Sequence, residues 1–340
     1  MVAADSIRAR RPGEHRDLVR PADPGGPSAS RPTPGPIAVL PAPIAAIVDA
    51  IASAGGTIAE LSAETRGLVW LGGSVGELAA VLAENPAIGW VQLPLAGVEN
   101  VAELFAAQAD ARLPVWTSAK GAYAEPVAEH AVALTLSLLR QVPSKARSHE
   151  WASPREGISL YGRNVTIVGA GGIAIEIMRL LAPFEVVITV VRREALDLAG
   201  AARTVTVSGL RDVLPQADVV ILAAAATEET SGLLGARELA LMKPSAVLVN
   251  VARGSLVDQD ALVASLRSGH LWGVGLDVTS PEPLEAGHPL WSAPRCVITS
   301  HSADTDEMVE PLLARRVSAN VAAFLGDGRF VGRVDPAVGY

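Results

Sequence analysis

The sequence predicts an α/β protein of two domains built on parallel sheets, and three observations carry the prediction. Its 340 residues exceed what one core of ordinary size fills, since domains run at roughly 100 to 200 residues. From Ile37 onward, short apolar runs alternate with amphipathic stretches, and strand, helix, strand units of this length favour parallel sheets covered on both faces. Finally, a glycine-rich turn, Gly169-Ala170-Gly171-Gly172-Ile173-Ala174, lies directly between a Val-rich run and an apolar helical stretch.

Residues 1–36 hold seven prolines, four glycines and six arginines without apolar spacing. They bury too little surface to offset the entropy of ordering, so a disordered tail is expected. The pattern changes at Ile37. Strands are expected at Ile37–Leu40, Leu68–Leu71 and Ile88–Leu93, with helices near Ile44–Ala54 and Val75–Glu84. A longer helix near Glu125–Arg140 repeats Val127, Ala131, Leu134 and Leu138 at spacings of three and four, which predicts one face buried against another domain or subunit. The second sheet is expected to contain about seven strands: Val165–Val168, Val186–Val191, Thr204–Val207, Val219–Ala223, Ala246–Val251, Val274–Asp277 and Val297–Thr299. Helices at Gly172–Leu181 and Gln259–Ser268 lie between them. Because the glycine turn starts only at Gly169 and a long segment follows the last strand, residues 37–120 and 303–340 are expected to form one domain. Residues 121–302 would be inserted as the other.

Composition excludes several classes. The longest apolar runs fall far short of the roughly 18 to 20 residues of a membrane-spanning helix, so no membrane role is expected. Cys296 is the only cysteine; it permits neither an intrachain disulfide nor a Cys-rich zinc site, and it points to a reducing, cytoplasmic setting. A net charge of −8 argues against nucleic acid as partner. Among the histidines, His15, His130, His149, His270 and His288 show no paired ligand spacing and read as surface or helix residues, so no metal is expected.

The turn at 169–174 fits the G-x-G-x-x-G/A pattern in its required setting. Gly169 allows the tight turn, Gly171 lets the backbone approach a pyrophosphate, and Ala174 is small enough for helix to pack on strand. Gly172 and Ile173 begin the helix, whose first N–H groups and positive dipole end face an anion. An NAD-preferring site places an acid at the end of the next strand. Here the chain reads Val190-Val191-Arg192-Arg193, and two cations suit a 2′-phosphate, so NADP is the expected cofactor over NAD. The alternative is a solvated strand edge. A second glycine cluster, Gly72-Gly73-Ser74-Val75-Gly76, also follows a strand but lacks the G-x-G spacing.

Three polar segments fall near the carboxyl ends of later strands, where open α/β sheets bind ligands: Asn250–Gly254, Gly275–Leu284 and Thr299–Ala303. Singly, Arg253, Glu282 and His301 could each be ordinary loop residues. Together, the glycine turn, the N-V-A-R-G-S-L-V-D run at Asn250–Asp258, G-L-D-V and E-P-L within Gly275–Leu284, Pro289-Leu290-Trp291 and S-H-S-A at Ser300–Ala303 resemble the D-isomer-specific 2-hydroxyacid dehydrogenase family over roughly residues 37–340. The resemblance implies a Rossmann doubly wound sheet inserted into a smaller flavodoxin-like substrate domain. It implies NAD(P)-dependent hydride transfer at C2 of a small 2-hydroxy or 2-keto acid, and a homodimer formed through the Glu125–Arg140 region and the stretch around Trp151. Arg253 would hold the substrate carboxylate, His301 would exchange the proton, and Glu282 would pair with His301. Asp277 would approach the nicotinamide carboxamide. Thr230, Val251, Ala252 and Ala303 would lie beside the cofactor. The Leu95-Ala96-Gly97 turn would offer N–H groups to the carboxylate, or be a plain glycine turn.

Two departures stand out. Ala225 replaces a proline found in many members after the fourth strand, and Glu185 occupies a position usually held by glycine. The chain ends soon after the second sheet, so no built-in regulatory domain is expected. Alternatives on the same fold are a dinucleotide-sensing corepressor without turnover, and oxidation of formate or phosphite; formate enzymes of this type carry Gln before the histidine, where this chain has Ser300.

Overall fold

The computed structural model describes residues 31–107, 114–151 and 155–336. Of the expected N-terminal tail, residues 1–30 lie outside the described residues, and 31–36 form neither helix nor strand. The chain divides into two compact units, one drawing on the segment up to Glu125 and on Thr305–Gly339, the other on Pro126–Asp304. Among the described residues, no helix is long and apolar enough to cross a membrane.

The first unit contains β1 (Ile37–Leu40), α1 (Ala45–Ser53), β2 (Gly67–Trp70), α2 (Val75–Glu84), β3 (Trp90–Gln92), α3 (Ala102–Ala107) and β4 (Val115–Thr117). Its strands pair in parallel in the order β1-β2-β3-β4. A parallel bridge between Ile37 and Ile58 adds one further step beside β1. With that step counted, the chain crosses the sheet as 2-1-3-4-5, the flavodoxin-like order. No expected strand covers β4, which is set by its parallel pairing with β3.

The second unit contains most of α4 (Ala124–Leu139), then α5 (Val142–Ala146), β5 (Asn164–Val168), α6 (Gly172–Leu181), β6 (Val187–Arg192), β7 (Arg203–Thr206), α7 (Leu210–Val213), β8 (Val219–Leu222), α8 (Ala236–Leu241), β9 (Val247–Asn250), α9 (Gln259–Arg267), β10 (Gly273–Leu276) and β11 (Cys296–Ile298). All seven strands are parallel, in the order β11-β10-β9-β8-β5-β6-β7. This is the Rossmann order with one strand added, and the direction of travel reverses between β5 and β8, where such sheets open a ligand crevice. β8, β9 and β10 are buried at every position, as strands covered on both faces require.

The apolar face of α4 is used inside this unit. A Cβ at Gly275 would stand 3.1 Å from Leu134 Cβ, and one at Gly273 would stand 3.2 Å from Leu138 Cδ2. The two β10 glycines thus make the groove that receives Leu134 and Leu138. The expectation of a face turned to another domain or subunit is corrected for these two residues.

The C-terminal helix α10 (Asp306–Leu325) belongs to the first unit and packs on α1. Its fully buried Arg316 donates to the carbonyls of Ser118 and Lys120. Buried Asn320 donates to Gln92 Oε1 at 2.7 Å. These bonds satisfy polar groups that would be costly if left unpaired in the core.

Candidate active site

The glycine turn is shaped by contact at one residue and by open space at another. Gly169 has φ +116, and a Cβ there would lie 2.4 Å from Ala223 O. The exits of β5 and β8 therefore approach so closely that only glycine fits. Gly171 is extended, caps α6 without any side-chain hydrogen bond, and an added Cβ would meet nothing within 4 Å. Behind it, Ala174 is fully buried. Open space before an uncapped ten-residue helix fits a pyrophosphate, because the first amides and the helix dipole favour an anion.

Around this turn, Arg192 is half-buried at the carboxyl end of β6, and exposed Arg193 stands 3.9 Å from Glu229 through Nε. The Thr230 hydroxyl donates to Ala225 O and accepts from Thr227 N, both at 2.8 Å. It orders the loop that carries Ala225.

Beyond β9, Asn250 folds the next turn: Oδ1 accepts from Ala252 N at 3.0 Å and Nδ2 donates to Arg253 O at 2.9 Å. Val251 and Ala252 are buried, and Arg253 Nη1 donates to Ala252 O at 2.7 Å. A Cβ on Gly254 would fall 1.9 Å from the Thr279 carbonyl, so this loop lies directly against the one carrying Glu282. Thr279 N donates to Glu282 Oε1 at 2.9 Å, and Glu282 Oε2 meets His301 Nδ1 at 2.8 Å. One carboxylate oxygen is anchored by backbone while the other fixes the imidazole through Nδ1. Both side chains are partly exposed, at 50% for His301 and 36% for Glu282.

Ser300 and His301 both adopt left-handed backbone, with φ 51 and 54, a conformation costly for two successive non-glycine residues. Asp277, 2% exposed, holds them there. Its backbone carbonyl accepts from His301 N at 2.6 Å. Its carboxylate accepts from Thr299 Oγ1 at 2.6 Å, Ser302 N at 2.9 Å and Ala303 N at 3.3 Å. Burial opposes this charge, but hydrogen bonds from His130, Thr299 and Ser302 outweigh it and hold the carboxyl below its ordinary range.

His130 completes the cluster from α4. Its Nε2 lies 2.9 Å from Thr299 Oγ1 and 3.4 Å from Asp277 Oδ1. Because the Thr299 hydroxyl gives its proton to Asp277, Nε2 is the donor in the contact with Thr299. His130 is a helix residue, as expected, and its imidazole also joins this cluster, which the sequence reading missed. The available signal was an imidazole bordering an apolar stripe. Burial pushes the Cys296 thiol up to about 12, so it is no nucleophile. No group of His, Cys, Asp and Glu among the described residues could hold a metal ion.

In the first unit, Leu95-Ala96-Gly97 follows β3 with Leu95 54% exposed. Leu95 O accepts from Ala119 N at 3.0 Å, and the Tyr123 hydroxyl donates to Pro94 O. The turn borders a cavity of about 650 Å³ at the carboxyl ends of β1, β2 and β3, walled also by Val309 and Leu313 of α10. The second glycine cluster opens α2 as a capping box, in which Ser74 Oγ accepts from Glu77 N and Glu77 Oε2 accepts from Ser74 N.

A Rossmann sheet with an open anion turn at its switch point and an anchored carboxylate–imidazole pair at its carboxyl edge defines a nicotinamide-dependent oxidoreductase. The chain belongs to the D-isomer-specific 2-hydroxyacid dehydrogenase family: that family's NAD-binding domain matches residues 132–303. It is 32% identical over 257 residues to a D-3-phosphoglycerate dehydrogenase of Mycobacterium tuberculosis, covering 74% of this chain and 48% of that one. The chain thus spans about half the length of this relative. It is 36% identical over 210 residues to a glyoxylate reductase of Pyrococcus furiosus, covering 58% of this chain and 62% of the relative. An NADPH-dependent glyoxylate/hydroxypyruvate reductase from Sinorhizobium meliloti superposes with a TM-score of 0.72 at 26% identity, over 89% of this chain and 98% of that one. The family and these neighbours make the chain an NAD(P)-dependent oxidoreductase acting on a CH–OH group.

Proposed function

We propose that the protein reduces a small 2-keto acid to the D-2-hydroxy acid with NADPH, His301 acting as general acid. The observation that carries this reading is the 2.8 Å bond between Glu282 and His301 Nδ1. A carboxylate held at hydrogen-bonding distance of Nδ1 fixes the ring and leaves Nε2 as the nitrogen that faces substrate. Bound reduced nicotinamide supplies the hydride to C2, and His301 Nε2 supplies the proton to the former keto oxygen. The planar fork of Arg253 suits the substrate carboxylate, to which the Leu95–Gly97 turn offers further N–H groups. Asp277 serves the nicotinamide side, and Thr230, Val251, Ala252 and Ala303 line the dinucleotide.

Arg192 and Arg193 at the end of β6, with no acid in their place, support NADP over NAD. The acidic net charge of −8 supports a small-molecule partner over nucleic acid, and the lone cysteine supports a cytoplasmic setting. A homodimer is proposed because Trp151 and Val142 leave 103% and 50% of their surfaces exposed.

The test is His301→Ala. Turnover of the best keto acid falls by on the order of 10² to 10⁴, as for a lost general acid, with NADPH affinity retained. Near-normal turnover would remove His301 from the chemistry and favour a dinucleotide-sensing protein instead.

A further inference from the structure

We infer that this chain selects 2-keto acids with an uncharged apolar side chain, branched aliphatic or aromatic, and discriminates against phosphorylated and dicarboxylic ones. The inference rests on the reading above, in which the Leu95–Gly97 turn receives the substrate carboxylate. The cavity beginning at that turn is where the rest of the molecule goes.

Its place in the fold marks it as a ligand crevice, since it lies outside the carboxyl ends of three parallel strands. Its wall is mostly apolar, with Trp70, Leu71, Val75, Val101, Val309 and Leu313, and Asn100 is the one amide side chain among the lining residues. At about 650 Å³ it offers far more room than the single hydrogen of glyoxylate or the hydroxymethyl of hydroxypyruvate occupies. Such a wall favours each added methylene and, Asn100 and the loop backbone apart, offers few partners to a desolvated polar group.

Charge separates the remaining candidates. None of the described residues lining the cavity is Lys, Arg or His, whereas Asp306 and Glu310 stand exposed on its rim. A phosphate requires cations or unclaimed amides. Of the three helix starts that border the cavity, that of α2 is already occupied by its own side chains, Glu77 Oε2 accepting from Ser74 N at 2.7 Å and from Ser74 Oγ at 2.9 Å; that of α10 carries Asp306 and Glu307 in its first turn, and that of α1 carries no charged residue in its first turn. A dianionic side chain would lose its solvation against the apolar wall with no cation to pair it, and the screened rim acids would add a weaker repulsion. The rim acids are solvated and their field is screened, so the apolar wall outweighs them and a cationic side chain gains less than an apolar one.

The test compares kcat/KM with NADPH and NADH for 4-methyl-2-oxopentanoate, phenylpyruvate, glyoxylate, hydroxypyruvate, 3-phosphohydroxypyruvate, oxaloacetate and 5-guanidino-2-oxopentanoate. The branched or aromatic acid is expected to exceed glyoxylate by on the order of 10- to 100-fold, the range that added methylenes earn in an apolar pocket. It should exceed the phosphorylated acid by more. Glu310→Arg, an exposed change, should raise the ratio of 3-phosphohydroxypyruvate to phenylpyruvate about tenfold by exchanging a repulsive charge for a pairing one. Equal or better use of glyoxylate, of either multiply charged acid or of the guanidino acid overturns the inference. Failure to reduce any of the seven with either cofactor overturns instead the reading on which it rests.

Discussion

Two glycine-rich turns in this protein each follow a parallel strand and each open a ten-residue helix, α2 in the first unit and α6 in the second. At α2, Ser74 and Glu77 satisfy each other's backbone amides. At α6, Gly171 brings no side chain and the space before it is open. Glycine content and position in the fold are alike, so neither makes an anion site. What matters is whether the chain has already claimed the helix's first amides.

The sharpest test is to close the open turn. Gly171 has φ −79 and ψ −171, which any residue adopts, and Asp is a favoured N-cap. Gly171→Asp should therefore leave thermal stability unchanged or slightly raised. It should weaken NADPH by on the order of 10²-fold or more, since charge-assisted hydrogen bonds contribute about 1.5 to 3 kcal/mol each and at least two are blocked. Calorimetric titration showing affinity within threefold of the parent protein would break the comparison.

The next effect lies at the neighbouring strand end. If Arg192 pairs a 2′-phosphate, Arg192→Asp should shift the NADPH to NADH preference roughly 10- to 100-fold toward NADH, the equivalent of one such bond. Equal kcat/KM for the two cofactors in the unmodified protein would show that this side of the turn faces solvent.

Local pattern was enough to read both turns and all seven strands of the second sheet, because each rests on neighbours in sequence or on an apolar run, whereas the Glu282–His301 pair, 19 residues apart, came only from the family resemblance. What escaped depends on distant partners. β4 is defined by its pairing with β3, and His130 reaches Thr299 across 169 residues of chain. Asn250 was visible only as part of a motif, while its two bonds shape the Arg253 turn. Glu185, for which the sequence offers no account, sits at φ 53, the left-handed conformation that glycine adopts freely and other residues adopt at a cost.

The same distinction between claimed and unclaimed groups applies to Asp277, whose carboxylate is committed to Thr299, Ser302 and Ala303. Loosening that clamp should disturb the presentation of His301 rather than dinucleotide affinity. His130→Ala is expected to lower kcat about tenfold, near the worth of one hydrogen bond, with NADPH affinity within twofold. His130→Gln, which keeps an N–H donor, should recover most of the loss. A drop in melting temperature with kcat unchanged would make His130 a packing residue only.

The smallest effects belong to the closed turn. Ser74→Ala removes a cap worth about 1 kcal/mol of stability and should leave NADPH affinity untouched, in contrast to the change at Gly171. Glu77 adds a signature in pH. Hydrogen bonds to the Ser74 backbone and then its hydroxyl hold this carboxyl below its ordinary value of 4.5, against a smaller opposing effect of burial. A depressed folded-state pKa means that the unfolded chain binds the proton more readily. The contribution is therefore fully present above about 4.5 and disappears as pH falls through the folded value. Asp277 and Glu238 are depressed as well, so the acid limb of the parent protein alone does not isolate Glu77. The difference between parent and Glu77→Gln does. Melting temperatures should lie furthest apart at neutral pH and converge only as pH falls through the depressed folded value, where the parent carboxyl is protonated too. A gap independent of pH would mean that Glu77 acts through its shape and amide-accepting oxygen alone, and the α2 terminus would then be closed by geometry rather than by charge.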